Sequence, residues 1–154
     1  MNIYLIILLS ITPILSGILY SFTLSVPVIG ELFTYILPFT VICVWFYLGY
    51  YLARQNKLNF WYWTGITHAS GFICLILHFI GFYALESTPK PLAIISGLFV
   101  NTLAPFISRI AMIFERVPNE TTRFTETFIQ ISGILFMLLV FICGYIRSKI
   151  ANKK

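Results

Sequence analysis

The stretch GLFVNTLAPFISRIAMIFERVPNE, residues 97–120, begins as an apolar helix and then sets Asn101, Pro105 and Arg109 among its apolar residues. Whether it crosses a bilayer or turns back inside one decides how the whole chain is threaded. The chain has 154 residues, of which 59% are hydrophobic, 18% aromatic and only 10% charged. A soluble domain carries about 25% charged residues, so too few charges are present to cover a water-facing surface, and lipid is the solvent that fits. One crossing takes roughly 20 apolar residues, which limits this chain to five or six helices. The expected fold is therefore an all-α integral membrane protein: a single transmembrane domain, 1–154, forming a compact helical bundle.

Five apolar runs can be read, at about 3–24, 32–53, 60–85, 91–114 and 126–146, followed by a basic C-terminal tail, 147–154. The first twenty residues have no preceding Lys or Arg and no A-x-A-like cleavage site, so they are expected to remain as a mature helix rather than a signal peptide. The second break is marked as a membrane surface. Tyr47, Tyr50 and Tyr51 precede Arg54 and Lys57, and Phe60, Trp61, Tyr62 and Trp63 follow, an aromatic belt around cations at the headgroup layer.

The basic residues bear on the threading. If all five runs cross, five cations fall on each side and the positive-inside rule returns a tie. If residues 91–114 are instead re-entrant, Arg54, Lys57, Arg147, Lys149, Lys153 and Lys154 share one side. All five Glu residues then lie opposite, with Lys90, Arg109, Arg116 and Arg123. The second partition is cleaner and makes both chain ends cytoplasmic, although carboxylates contribute little to the rule. With five crossings the N-terminus lies outside. In either case the C-terminus is expected in the cytoplasm, with the plasma membrane as the host bilayer.

Plotted at 100° per residue, Gly97, Asn101, Ala104, Ser108, Ala111 and Glu115 form one stripe, read as the small and polar face of a continuous helix. Pro105 has no N–H, so the Asn101 carbonyl is expected to lose its helical partner. Arg109 is close enough to the helix end to snorkel. In the third run, Thr64, Thr67, His68, Gly71, Cys74, His78 and Gly81 make a second stripe. Its two histidines are ten residues apart, about 15 Å along the axis, too far to clasp one metal ion or haem between them. Weaker stripes are Ser10, Gly17 and Ser21 in the first run, and Glu126, Gln130, Gly133 and Gly144 in the fifth. Gln130 needs a partner, which Asn101 or a histidine could supply. Such stripes suit close helix packing with interhelical hydrogen bonds. Cys43, Cys74 and Cys143 sit inside apolar runs and read as small buried hydrophobes.

The chain contains no Asp, no HExxH, no P-loop and no GxGxxG, which excludes an aspartyl dyad or a Ser-His-Asp triad within it. No catalytic, cofactor-binding or metal-binding residues are assigned and no cofactor is expected. The intramembrane polar residues Asn101, Arg109, Glu115, His68, His78 and Gln130 are the candidate site, because ionisable groups inside a membrane are functional-site hypotheses by default. The Glu and Arg residues around 115–126 read as a solvated ion-pair set, and the NET sequence at 119–121 matches a glycosylation acceptor.

The leading functional expectation is a non-catalytic accessory subunit, or an immunity- or protection-type protein, acting through helix–helix contacts. The alternative is a small transporter or channel subunit with a polar path near Asn101 and His78. A third is a membrane enzyme using Arg109 with Glu115 or Glu120 on lipid headgroups. Expected partners are the lipid bilayer and, through the stripes, another membrane protein or a second copy of the chain, but no nucleic acid.

Overall fold

The computed structural model describes residues 3–23, 26, 29–55, 59–85, 90–114 and 122–151. These residues form an all-α bundle, with no strand among them. In chain order the helices are α1 (Ile3–Thr23), α2 (Ile29–Gln55), α3 (Phe60–Phe79, continued by a π-helical turn over Ile80–Ala84), α4 (Lys90–Gly97), α5 (Ala104–Ala111, continued by a 3-10 turn over Met112–Phe114) and α6 (Arg123–Ala151). Four segments are long and apolar enough to cross a membrane: Ile6–Thr23, Gly30–Gln55, Phe60–Ala84 and Arg123–Ala151. The protein is an integral membrane protein on that ground, with apolar side chains such as Leu15, Phe39, Ile73 and Leu139 exposed along its outside.

Side-chain contacts fix the helix directions. The Phe60 ring meets Tyr145 at 5.0 Å, while His78, eighteen residues later, meets Thr127 at 2.9 Å. Helices α3 and α6 are therefore antiparallel. Near the far ends of α2 and α6 the two backbones touch. A Cβ on Gly49 would overlap the Phe141 carbonyl, and one on Gly144 would overlap the Phe46 carbonyl. Only glycine permits so close a crossing. The start of α1, the end of α2, the start of α3 and the end of α6 thus share one face of the bundle, the terminal face. The other, where α3 ends and α6 begins, is the hairpin face.

The fourth apolar run is not one helix. It breaks between Gly97 and Ala104, so the stripe drawn on a continuous helix from Gly97 to Glu115 does not exist as such. Gly97 closes α4 and Pro105 opens α5, the usual positions of glycine at a helix end and proline in a first turn. Between them the chain makes tight local bonds: Asn101 N–H to the Gly97 carbonyl at 2.9 Å, Leu103 N–H to the Val100 carbonyl at 2.8 Å, and Ala104 N–H to the same carbonyl at 3.0 Å. The Asn101 carbonyl does not go unpaired as expected, because Ala104 N–H reaches it at 3.3 Å.

Two sets of contacts show that the run turns back. Ile95 lies beside Cys74, whose Sγ is 3.6 Å from its carbonyl, and Phe99 packs on Gly71. Helix α4 therefore descends α3 from the hairpin face towards the middle of the bundle. On the other arm Ile107 lies at Gly133, while the Phe114 ring meets Phe128 at 6.1 Å. Helix α5 climbs back along α6 towards the face it came from. Three consecutive residues of the turn each meet a glycine from a different spanning helix. A Cβ on Gly17 would overlap the Leu98 carbonyl, one on Gly71 would come within 2.9 Å of the Phe99 ring, and one on Gly133 would press on the Val100 side chain.

Smaller departures from the sequence reading concern the ends. α2 begins at Ile29, and α6 extends from Arg123 to Ala151, so the first five residues of the basic segment 147–154 are helix rather than tail. α6 is long because Thr122 caps it, its hydroxyl accepting from Thr125 N–H at 3.4 Å. Cys43 and Cys143 are exposed on the outside of the bundle, and only Cys74 is buried. Of the ion-pair set expected around 115–126, Glu115, Arg116 and Glu120 lie outside the described residues, as does the glycosylation motif at 119–121, while Arg123 is exposed and Glu126 is half-buried at the start of α6.

The threading has a direct readout. Thr88→Cys and Asn119→Cys, each in a background lacking the native cysteines, react with a membrane-impermeant maleimide from the same side; opposite-side labelling would show that the run crosses. Gly17→Ala costs about 1–3 kcal/mol by overpacking, seen as a lowered Tm in detergent. Gly65→Ala, where a Cβ meets nothing within 4 Å, is neutral or stabilising by up to about 1 kcal/mol through helix propensity.

Candidate functional site

The re-entrant hairpin encloses a polar space. A partly open cavity of about 200 Å³ lies between the end of α3, the two arms of the hairpin and the start of α6. Its polar lining comes from His78, Ser96, Asn101, Glu126 and Gln130, with Phe82 as its aromatic wall. Glu126 and Gln130 are one turn apart on α6, three and seven residues from its start, or about 4.5 and 10 Å along the axis. The cavity thus extends inward from the hairpin face towards the turn at 98–103.

Each polar group is placed by its helix. His78 is 1% exposed, and its Nε2 is 2.9 Å from Thr127 Oγ1. The threonine has a single hydroxyl proton, which it gives to the Arg123 carbonyl at 2.7 Å. It must therefore accept from His78 Nε2–H and from the Tyr83 hydroxyl at 3.0 Å. This ties α3 to α6 and fixes the imidazole as the Nε2–H form. The π-helical turn after α3 carries Phe82, whose ring lies over His78 with centroids 4.6 Å apart, and Tyr83. Such wide turns recur at functional sites. The Asn101 side chain folds back over Gly97, its Oδ1 2.8 Å from where a Cβ would stand. Ser96 gives its proton to the Ala93 carbonyl at 2.9 Å.

Two oxygens have no such partner. Gln130 is 6% exposed, yet its Oε1 accepts no hydrogen bond from the described residues, and neither does the buried Glu126 Oε2. A buried acceptor left unsatisfied costs about 1–3 kcal/mol. The partner that the sequence suggested for Gln130, Asn101 or a histidine, shares its cavity, but does not satisfy this oxygen.

The structure separates the other candidates from this group. His68 faces α2 within the core. Its Nε2 accepts from Trp45 Nε1–H at 3.1 Å, so its proton resides on Nδ1, which faces the Thr64 carbonyl at 3.1 Å. The rings of Trp45 and Phe141 stand edge-on to it at 5.6 and 5.5 Å. Both nitrogens are occupied by the fold, leaving neither for a ligand. Arg109 is exposed on α5 and is not part of the cavity lining. Glu115 lies outside the described residues. The sequence reading placed Glu126 in a packing stripe and did not weigh Ser96; the signal for Glu126 was its position one turn before Gln130. Among the described residues, no group of three or more His, Cys, Asp and Glu side chains could hold a metal ion.

The outer side of the hairpin has a different character. An apolar groove of about 300 Å³ runs along Pro38, Phe39, Ile42, Phe106, Ile110 and Phe136. One side of α5 therefore suits hydrocarbon, while the base of the hairpin borders the polar space. Compared with known proteins, the chain matches no family model, no curated protein and no solved structure.

The core pair has its own test. Trp45→Phe leaves His68 Nε2 without a donor and lowers stability by about 1–3 kcal/mol, read as a fall in Tm.

Proposed function

We propose that this protein takes a small polar solute into the cavity at its hairpin face, as a transporter or channel subunit does. One observation carries the reading: Gln130 Oε1 and Glu126 Oε2 are buried in the cavity wall with no partner among the described residues. Buried polar atoms are nearly always satisfied, and an exception needs a reason. A ligand that donates to both oxygens supplies one. The backbone gives independent support. Irregular chain at membrane depth is tolerated where it is buried in protein or lines a cavity, and broken helices form the solute sites of many transporters.

The accessory-subunit reading relied on small-residue stripes as docking surfaces. Gly17, Gly49, Gly71, Gly133 and Gly144 are all in use inside the chain, so those stripes offer little to a partner. The enzyme reading paired Arg109 with Glu115 or Glu120, and Arg109 lies away from the cavity.

In the proposed orientation the terminal face is cytoplasmic and the host is the plasma membrane. Arg54, Lys57 and the four cations from Arg147 to Lys154 then lie inside, as the positive-inside rule requires. The cavity faces the exterior.

Purified protein in nanodiscs tests the reading by thermal stability against neutral, anionic and cationic solutes of a few heavy atoms. At a hundred times its Kd a bound solute adds about 2.7 kcal/mol, a rise of several degrees. Ala93→Phe, which fills the cavity, removes the effect. A panel in which no solute of any charge raises the Tm would overturn the proposal.

A further inference from the structure

We infer that the solute is a protonated primary amine, held by the Glu126 carboxylate together with the Gln130 amide oxygen; this rests on the solute-binding reading above. Three features of the cavity select that chemistry. The first is charge. Among the described residues, Glu126 is the only ionisable acid in the lining, and no Lys or Arg accompanies it there. Arg123, one turn earlier, is exposed and does not line the space. A single carboxylate in surroundings of low dielectric favours a cation and repels an anion.

The second feature is hydrogen-bond polarity. Of the buried side-chain atoms without a partner, the two that belong to the described lining, Glu126 Oε2 and Gln130 Oε1, are both oxygens, so the ligand must donate at least twice. An ammonium group has three N–H donors and no acceptor. It can serve both oxygens and leave one proton for a third acceptor. A quaternary ammonium offers no N–H and leaves both oxygens as they are. The third feature is the wall and the space. Phe82, its ring tilted by 30° against His78 at 4.6 Å, brings an aromatic ring to the cavity, and ring faces attract cations. The volume of about 200 Å³ is below the roughly 300–1,000 Å³ of drug-sized sites, which calls for an amine with a short carbon chain. The described lining has one carboxylate, no second acid and no Cys, and no metal-binding set occurs among the described residues, so the lining does not make a divalent-cation site.

The experiment compares propylammonium with 1-propanol, propionate, tetramethylammonium and sodium, each on the intact protein in nanodiscs of neutral lipid. Binding is read by calorimetry and by Tm. Propylammonium binds at least tenfold more tightly than the other four. Glu126→Gln, which keeps the side-chain shape and removes the charge, weakens propylammonium at least tenfold. Gln130→Leu does the same, and carries the test if Glu126→Gln fails to fold. Equal or tighter binding of 1-propanol or propionate overturns the amine assignment while leaving the cavity as a solute site. Sodium binding as tightly as propylammonium overturns it in favour of an alkali cation, and tetramethylammonium doing so removes the role of the two oxygens. Undiminished propylammonium affinity in both variants also overturns it. If no solute binds the unaltered protein, the underlying reading fails as well, an outcome distinct from all the others.

Discussion

A chain that reverses direction in the middle of a bilayer must bring its backbone polar groups out of contact with hydrocarbon, and here three glycines make that possible. Leu98, Phe99 and Val100 meet Gly17 of α1, Gly71 of α3 and Gly133 of α6 in succession. At each position a side chain on the spanning helix would occupy the space the turn now fills. Phe99 and Val100 are consequently fully buried, and the reversal is enclosed by protein instead of lipid. The requirement for internal satisfaction of backbone groups in hydrocarbon is met by local bonds within 97–104 and by this enclosure together.

The enclosure also accounts for the cavity. Two short helices meeting at a turn cannot fill the same volume as one straight spanning helix, and the difference remains towards the hairpin face, between the arms and the neighbours α3 and α6. Its polarity follows from where the neighbouring helices end or begin. The last residues of α3 bring His78 and Phe82, and the first two turns of α6 bring Glu126 and Gln130. An acidic residue near a helix N-terminus is favoured by the helix dipole, so Glu126 sits where its charge is best tolerated. The network joining His78, Thr127 and Tyr83 clamps α3 to α6 beside the cavity. At the opposite face, away from the cavity, the close crossing at Gly49 and Gly144 holds α2 against α6.

Much of this was legible in the sequence. Hydropathy gave the four spanning segments, because long apolar runs have few alternatives in a chain with so little charge. The distribution of Lys and Arg favoured a re-entrant fourth run, since a reversal places Arg54, Lys57 and the final basic residues together. Gly97 and Pro105 marked the break, eight residues apart, but a wheel plot that assumed one helix passed over that punctuation. What the sequence could not supply was the identity of neighbours. A small-residue stripe has the same period whether it packs, lines a cavity or does each in turn. The face of α3 does all of this along its length: His68 meets Trp45, Gly71 receives Phe99, and His78 borders the cavity. Such differences depend on contacts between segments far apart in the chain, which helical periodicity does not encode.

The place of Gly133 has a bearing on biogenesis. Ribosomes deliver the hairpin to the bilayer before the helix that completes its enclosure, so the newly made turn initially has walls from α1, α2 and α3 only, with Trp45 of α2 edge-on to Phe99. Until α6 is inserted, Val100 lacks the contact that Gly133 gives it and the reversal is open on one flank. Insertion of α6 is therefore the event that converts a loosely held loop into a buried one, and the recess beside it takes its finished form only after α6 has followed the hairpin into the bilayer.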